Sequence, residues 1–400
     1  MNRRFVITES QIHQKNFTVF AEYDADNRLM AVSCEEQGTQ SILGNIYIAR
    51  VRDVVENLNA AFLDIGAGIT CYYSLEDLKN PIFTHRTSTK KSLCQGDEIV
   101  VQVMKDAVKT KFPVVTTNLS FTGNYVVLTT ANHKLGVSGK LSDEVRKTYK
   151  EQFASCDLSE YGLIVRTAAK DASMEEVLAE YEALREELMQ LRSTCIHKTC
   201  YQCLRQSEPF YVQELRKRSI DKTEDTDEII TDMAEIGKRL QQYGFPVRFY
   251  QDASYPLDRL YPVESGITDA LKERVWLKSG ANLIISPTEA MTVIDVNSGK
   301  NTAAKTKREN ILRINIEAAK EIARQLRLRN ISGICIIDFI NMKAKEDTSR
   351  LMQEFRSFLK SDPVSVQLVD ITRLGLVEVT RKKEKRSLYE QIYGSQSYEK

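Results

Sequence analysis

The sequence predicts a multidomain protein of mixed α/β and α+β class, and three observations carry that prediction. Two apolar runs, 290–295 and 333–338, each end in a carboxylate and bracket a long amphipathic segment, as in a strand–helix–strand unit. An earlier region, 41–122, consists of short strand-like runs separated by Gly, Asn and Asp, which is typical of an all-β domain. A chain of 400 residues is also longer than one hydrophobic core usually serves, so several domains are expected.

Composition gives no strong indication of a partner. The chain is 42% hydrophobic and 28% charged, and its net charge of +1 creates no overall field that would attract polyanions. A nucleic-acid surface would therefore depend on local basic clusters, such as those within 105–111 and 381–386. No apolar run has the length of a signal peptide core or a membrane span, so we expect a cytoplasmic protein whose eight cysteines are reduced.

The first third of the chain is expected to be β-rich. Residues 1–40 alternate polar and apolar positions and predict a small set of strands. The strands expected next are 46–51, 60–64, 70–73 and 98–104, which together suggest a small barrel such as an OB-fold. This region carries three aromatic and three basic candidates for nucleic-acid contact: Phe62, Tyr72, Tyr73, Lys105, Lys109 and Lys111. Aromatics with basic neighbours suit stacking on unpaired bases, but a core Phe and half-buried strand tyrosines fit equally well.

The middle of the chain contains a possible phosphate pocket. A predicted strand at 162–165 leads into Arg166 and Thr167, and the capping box Ser173-x-x-Glu176 starts a predicted helix to about residue 195. An Arg–Thr pair near a helix N-terminus offers donors to a phosphate, although a surface Arg beside a turn Thr is the plainer alternative. The charged stretch 216–244 is expected to be helical, after a loop at its acidic patch.

One cysteine cluster could ligate a metal. Cys195, His197, Cys200 and Cys203 are four possible zinc ligands. Cys195, however, continues the apolar stripe of the preceding helix and is expected to be a core thiol. No second C-x-x-C follows at zinc-finger spacing, so zinc is not expected, and the role of the cluster stays open.

The last third predicts a metal site. In a strand–helix–strand unit the two strands are parallel, so Asp295 and Asp338 are expected about 5 Å apart at one sheet edge. Two carboxylates placed in this way suit a hard cation such as Mg²⁺. The nearly continuous apolar runs predict strands buried on both faces. The apolar stripe of the intervening helix comprises Ile311, Ile314, Ala318, Ile322 and Leu326, and a polar loop, 296–300, follows Asp295.

Several longer motifs, taken in order, resemble the ribonuclease E/G family. MTVIDVNSGK at 291–300, EIARQLRLR at 321–329, GICIIDFINM at 333–342 and TRLGLVEVTR at 372–381 are similar to its active-site region. NAAFLDIG at 59–66 resembles its S1-type RNA-binding domain, and GLIVRTA at 162–168 resembles its sensor of the RNA 5′ end. The resemblance runs from about residue 1 to about residue 386.

The resemblance implies a domain layout. It consists of a ribonuclease-H-like segment at 1–39, an inserted S1-type OB-fold at 40–122, a 5′-sensor region at 123–215, a second ribonuclease-H-like segment at 216–275, and a deoxyribonuclease-I-like catalytic domain with a basic tail at 276–400. The ribonuclease-H-like pair is expected to be structural.

The resemblance also implies an activity. It is that of a Mg²⁺-dependent endoribonuclease, with Mn²⁺ as a possible substitute, which cleaves single-stranded AU-rich RNA in rRNA and mRNA processing and decay. The expected products carry 5′-phosphate and 3′-hydroxyl ends. Asp295 and Asp338 would bind the metal, and Asn297 would help orient the site. Residues that match RNA-contacting positions are Phe62, Tyr72, Lys105 and Lys111; those that match the 5′-monophosphate pocket are Gly123, Val127, Arg166, Thr167 and Arg373.

Three departures from the family pattern bear on the expectation. No cysteine corresponding to the family's zinc link follows the catalytic region, so a zinc-joined dimer is not expected, although a homo-oligomer remains possible. Asn341 stands where an acidic residue is expected, and Cys71 and Tyr72 replace what resembles Gly and Phe. The main alternative is a catalytically weak S1-type RNA-binding protein associated with ribosomes. A deoxyribonuclease with the same metal chemistry is disfavoured by the S1-type domain.

Overall fold

Two compact units make up the fold. The structure is a computed structural model that describes residues 3–38, 41–89, 92–107, 111–130, 132–218, 227–252, 254–299 and 307–394. One unit comprises residues 1–39 with 222–400, and the other comprises residues 40–221. Lys109 and Lys300 lie outside the described residues. Within the described ranges, the helices lack the combination of length and hydropathy that crossing a bilayer requires.

The secondary structure follows the chain in this order. The strands are β1 Arg3–Ile12, β2 Lys15–Tyr23, β3 Leu29–Glu36, β4 Ile46–Val55, β5 Ala60–Asp64, β6 Thr70–Ser74, β7 Phe83–His85, β8 Glu98–Lys105, β9 Val114–Thr116, β10 Ser120–Thr122, β11 Val126–Thr129, β12 Leu135–Val137, β13 Gly162–Val165, β14 Cys203–Arg205, β15 Asp227–Thr231, β16 Arg248–Phe249, β17 Arg274–Trp276, β18 Asn282–Pro287, β19 Met291–Asn297, β20 Gly333–Asp338, β21 Val366–Ile371 and β22 Val377–Arg381. The helices are α1 Asp143–Gln152, α2 Met174–Thr194, α3 Phe210–Lys217, α4 Ala234–Gln242, α5 Leu257–Leu260, α6 Val263–Leu271, α7 Lys307–Leu328, α8 Lys345–Leu359 and α9 Leu388–Tyr393.

The unit formed by residues 40–221 contains a small barrel and a second, smaller sheet. The barrel strands run in the order β14-β4-β5-β6-β9-β8-β7, and an additional antiparallel pairing of β4 with β8 closes the sheet on itself. The second sheet has the order β10-β11-β13-β12 and packs against α2. Ser173 and Glu176 form the reciprocal capping box that starts α2, which confirms the predicted helix start.

The other unit is built on two sheets. One has the order β16-β15-β1-β2-β3, and the other has the order β17-β18-β19-β20-β22-β21. Helix α7 connects β19 to β20, which confirms the predicted strand–helix–strand unit. Buried side chains of α7, among them Ala318 and Ile322, join α8 in the core on one face of the six-stranded sheet. On the charged side of α7, Arg324 and Arg327 donate hydrogen bonds to the carbonyls of Leu29 and Met30.

The structure overturns two expectations. Residues 216–244 are not one helical stretch, because Asp227–Thr231 forms β15 and pairs in parallel with β1. The buried Ile229 and Ile230 explain this, since β-branched pairs favour a strand once a neighbouring strand is available. Second, β19 and β20 are not buried on both faces. Helices α7 and α8 cover only one face of the sheet, while on the other face Val293 and Ile334 are exposed.

Candidate active site

Asp295 and Asp338 are paired residues at the ends of two parallel strands. In the register of β19 and β20, Asp295 lies directly beside Asp338. Neighbouring strands are about 4.8 Å apart, so the two carboxylates leave the backbone from adjacent points. Buried residues alternate with them, so both aspartates lie on the open face of the sheet, with Asp295 half-buried and Asp338 exposed. The two aspartates are therefore neighbours at one sheet edge, as predicted.

Asn297 lies on the same face of β19, two residues after Asp295. Its Nδ2 donates a hydrogen bond to Asp295 Oδ2 at 2.7 Å. Because residues i and i+2 of a strand point to the same side, this contact follows from local geometry. The bond restrains the orientation of the Asp295 carboxylate.

Gly299 shapes the loop that follows the strand. Its φ is +61°, and a Cβ at this position would lie 2.3 Å from the carbonyl oxygen of Gly280. Any other residue would have to displace backbone, so the close approach of the two loops depends on glycine. The turn chemistry expected after Asp295 thus has a specific packing reason.

A cluster of aromatic side chains lies on the surface of the barrel. Phe62 on β5 is directly opposite Tyr72 on β6, and their ring centroids are 6.3 Å apart. The ring centroid of Phe112 is 5.5 Å from that of Phe62. Phe112, Lys111 and Lys105 are all exposed. This arrangement combines aromatic faces with positive charge, as proteins that stack unpaired bases do.

The two neighbours of Tyr72 belong to the barrel interior. Tyr73 is fully buried, beyond the half-buried strand position expected, and shares a hydrogen bond with Thr117 at 3.1 Å, so it belongs to the barrel core and does not stack on bases. Cys71 is also fully buried, and burial raises the pKa of its thiol to about 12. The substitution at position 71 therefore changes the core of the barrel and leaves the aromatic surface as it is.

The guanidinium of Arg166 donates hydrogen bonds to backbone carbonyls. Its Nη1 donates to the carbonyl of Gly123 at 2.5 Å, and its Nη2 donates to the carbonyl of Arg216 at 3.3 Å. Burial, with a contribution from the Arg216 charge, lowers the pKa of Arg166. Beside it, Thr167 shares a hydrogen bond with Ser138 at 2.9 Å. The predicted Arg–Thr pair thus lies in a hydrogen-bonded wall that includes Gly123.

Glu180 of α2 completes this wall. Its carboxylate accepts hydrogen bonds from three consecutive backbone N–H groups, those of Asn124, Tyr125 and Val126, at 2.7–3.0 Å. Backbone groups arranged in this way form an anion-binding concavity, and here an internal anion fills it. Val127 is half-buried on the adjoining strand, and Arg373 is exposed in the turn between β21 and β22 of the other unit.

Comparison with known proteins identifies the family of the chain. The model of the ribonuclease E/G family matches residues 120–384. The chain belongs to the ribonuclease E/G family. It is 34% identical over 363 residues to ribonuclease E of a Nostoc species, covering 87% of this chain and 52% of the relative. It is 34% identical over 388 residues to ribonuclease G of Haemophilus influenzae, covering 90% of this chain and 76% of the relative.

Ribonuclease G of Escherichia coli strain K12 is another relative. It is 32% identical over 389 residues, which cover 90% of this chain and 76% of that protein. The chain spans about half the length of the Nostoc and Synechocystis ribonuclease E proteins that it matches.

The cysteine cluster of this ribonuclease E/G family member separates into different environments. Cys195 is fully buried in the core around α2, which confirms the core-thiol interpretation. The thiol of Cys203 donates to the carbonyl of Arg205 at 3.3 Å. In the part of the chain that the structure describes, no three His, Cys, Asp or Glu side chains are grouped as metal ligands.

Sequence reasoning missed two exposed aromatic residues near these sites. Phe112 follows Lys111 and extends the aromatic surface of the barrel. Trp276 ends β17 and is 65% exposed on the open face of the sheet that carries Asp295. The signal for the first was an aromatic residue in a basic loop, and for the second the single tryptophan of the chain.

Proposed function

We propose that the chain is an endoribonuclease that cleaves single-stranded AU-rich RNA with the help of Mg²⁺, leaving 5′-phosphate and 3′-hydroxyl ends. The observation that carries the proposal is the register pairing of Asp295 with Asp338 on an open sheet face, in a member of the ribonuclease E/G family. Processing and decay of rRNA and mRNA in the cytoplasm is the role that we propose for it.

The paired carboxylates fit a magnesium ion. Mg²⁺ keeps several of its waters and is usually held by one or two carboxylates together with substrate phosphates, so two aspartates are a sufficient protein contribution. Asp295 and Asp338 would hold the ion, and Mn²⁺ would fit the same oxygen ligands. When bound, the cation supplies charge stabilisation at the phosphate and a more acidic water.

The side chains of the chain itself do the positioning. Asn297 restrains the Asp295 carboxylate through the 2.7 Å hydrogen bond. Bases of the RNA would stack on the aromatic surface of Phe62, Tyr72 and Phe112, and only unpaired bases can do so. Lys105 and Lys111 would neutralise phosphates.

We propose that the wall formed by Gly123, Val127, Arg166 and Thr167 receives a 5′-monophosphate. Arg373 keeps the 5′-sensing role that the family resemblance implies for its position. The bound phosphate would compete with Glu180 for the neighbouring N–H groups. We further propose that the parts of the chain correspond to ribonuclease-H-like, S1-type, 5′-sensor and deoxyribonuclease-I-like regions.

The test is cleavage of a labelled single-stranded AU-rich RNA that carries a 5′-monophosphate. Mg²⁺ and EDTA are compared for the parent chain, Asp295→Asn and Asp338→Asn. Asp370→Asn is the matched control, because Asp370 is an exposed aspartate on β21 of the same sheet. We expect internal cleavage that needs Mg²⁺ and is lost in the first two variants but kept in the control.

Tight binding without cleavage, the same in parent and Asp295→Asn, would refute the enzyme and leave an RNA-binding protein. A DNA of the same sequence tests the substrate class, and a triphosphorylated RNA tests the proposed 5′ pocket. Equal cleavage of DNA and RNA would contradict the proposed specificity for RNA.

A further inference from the structure

Trp276 and Asn297 lie in one row of residues that runs across the strands of the six-stranded sheet. In the antiparallel register, Trp276 on β17 lies opposite Asn282 on β18, and Asn282 lies opposite Asn297 on β19. Directly opposed residues of an antiparallel pair point to the same face, so all three side chains leave the sheet on one side. With strands about 4.8 Å apart, the Trp276 backbone is about 10 Å from that of Asn297.

The adjacent row contains the carboxylates. Arg274 lies opposite Ile284, Ile284 lies opposite Asp295, and Asp295 is the register partner of Asp338. The face that carries the tryptophan is therefore the face that carries the proposed metal ligands. Both rows belong to one unit of the structure, so their spacing is set by the sheet itself.

Packing among the residues that the structure describes does not explain the exposure of Trp276. Val275, the residue beside it, packs against the core on the other face, whereas the Trp276 side chain is 65% exposed. Tryptophan is highly buried on average, and exposed aromatic rings near positive charge are the surfaces on which unpaired bases stack. The Arg274 guanidinium lies 5.7 Å from the centroid of the indole ring, which adds positive charge to the aromatic surface.

We infer that Trp276 is a stacking platform for a nucleobase of single-stranded RNA that flanks the phosphate at the Asp295–Asp338 site. Its position in the row of Asn297 places the base beside the reacting phosphate, and Arg274 contacts the phosphate next to that base. An indole ring with an adjacent arginine offers the π-face and charge that unpaired nucleotides bind. The inference rests on the proposed function, because it names a further contact of the same substrate.

The experiment uses the intrinsic fluorescence of the protein, since Trp276 is the one tryptophan in the chain. The full chain carrying Asp295→Asn, which keeps the RNA intact, is titrated with a single-stranded RNA of roughly 12 nucleotides. Binding is followed in parallel by the anisotropy of a label on the RNA. A series of the same RNA, each with one abasic nucleotide, locates the stacked base.

We expect a saturable change in tryptophan emission that is lost when one particular base is missing. Stacking energies of bases on aromatic side chains correspond to about 5- to 150-fold in affinity, so Trp276→Ala should weaken binding by that factor. Trp276→Phe should retain most of the affinity, and the abasic RNA should bind Trp276→Ala and its parent equally. Tyr255→Ala, which removes another exposed aromatic ring, is the matched control and should bind as the parent does.

RNA binding that leaves the emission unchanged, or a Trp276→Ala effect equal for intact and abasic RNA, would overturn the inference. Cleavage by the unsubstituted chain is scored separately. Normal cleavage with unchanged emission refutes the platform alone, whereas base-dependent quenching without cleavage supports the platform and refutes the nuclease.

Discussion

The side chain of Asn315 on α7 forms hydrogen bonds with both the N–H and the carbonyl of Ile340. Its Nδ2 donates to the Ile340 carbonyl at 2.7 Å, and its Oδ1 accepts from the Ile340 N–H at 3.1 Å. Asn315 is fully buried, and Ile340 is two residues beyond Asp338. The crossover helix therefore fixes the chain where it leaves the strand that carries one of the two paired carboxylates.

Replacing Asn315 with Leu should affect both stability and cleavage. The substitution removes the partner of the N–H and of the carbonyl of the half-buried Ile340, which costs up to about 1–3 kcal/mol for each group. Because the segment after Asp338 loses its anchor, we expect kcat for RNA cleavage to fall more than the affinity for RNA. Urea unfolding and steady-state kinetics measure the two effects.

Asn341→Ala serves as the control for that variant, since Asn341 is exposed in the same segment. It should change the free energy of unfolding by no more than about 0.5 kcal/mol. Normal cleavage by a folded Asn315→Leu variant would show that Asn315 does not position the site.

Arg381 and Asp362 form a buried ion pair, although Arg381 opens the basic run 381–386. The two N–O distances are 2.8 and 3.2 Å, and both side chains are almost fully buried. Arg381→Met would leave the Asp362 carboxylate buried without its partner, at a cost of about 3–5 kcal/mol. Thermal or urea unfolding should show the loss, and the double variant Arg381→Met/Asp362→Leu should recover part of it.

Lys382→Met provides the comparison for the ion pair. Lys382 is exposed, so its replacement should leave the free energy of unfolding within about 0.5 kcal/mol of the parent. Equal effects of the two substitutions would mean that the Arg381 pair is no more important than an ordinary surface contact.

Asp97 makes the barrel sensitive to acid. Burial acts to raise the pKa of Asp97, but hydrogen bonds from Thr87 and from the Cys94 N–H outweigh burial and lower it. A lowered pKa stabilises the fold fully above the ordinary value of 3.8 and loses that contribution as the pH falls through the folded-state pKa. Asp97→Asn should therefore destabilise the barrel at neutral pH by about 1.5–3 kcal/mol and flatten its acid unfolding below about pH 4.

Asp53→Asn is the control for the acid prediction, because Asp53 is an exposed aspartate in the same barrel. Hydrogen exchange of β8 as a function of pH measures the stability of the barrel. An acid-unfolding curve for Asp97→Asn that parallels the parent curve would contradict the assignment.

The sequence predicted the paired aspartates because the pattern that indicates them is local. Two apolar runs end in Asp295 and Asp338, and the apolar stripe of α7 between them has the spacing of a helix. It could not predict which face was open, since Val293 and Ile334 are as apolar as their buried neighbours. Strand β15 was missed because its pairing with β1 joins residues far apart in the chain, and the contacts of Glu180 are similarly non-local.

Phe112, which the sequence analysis did not single out, should contribute directly to RNA binding. The ring is exposed and its centroid is 5.5 Å from that of Phe62, so it extends the surface that we propose for base stacking. Phe112→Ala should weaken the binding of single-stranded RNA by about 1–3 kcal/mol. Ile196→Ala, which removes an exposed apolar side chain elsewhere in the same unit, should bind as the parent does. If both variants lose the same affinity in an anisotropy titration, the effect comes from general surface change, and base stacking at Phe112 is refuted.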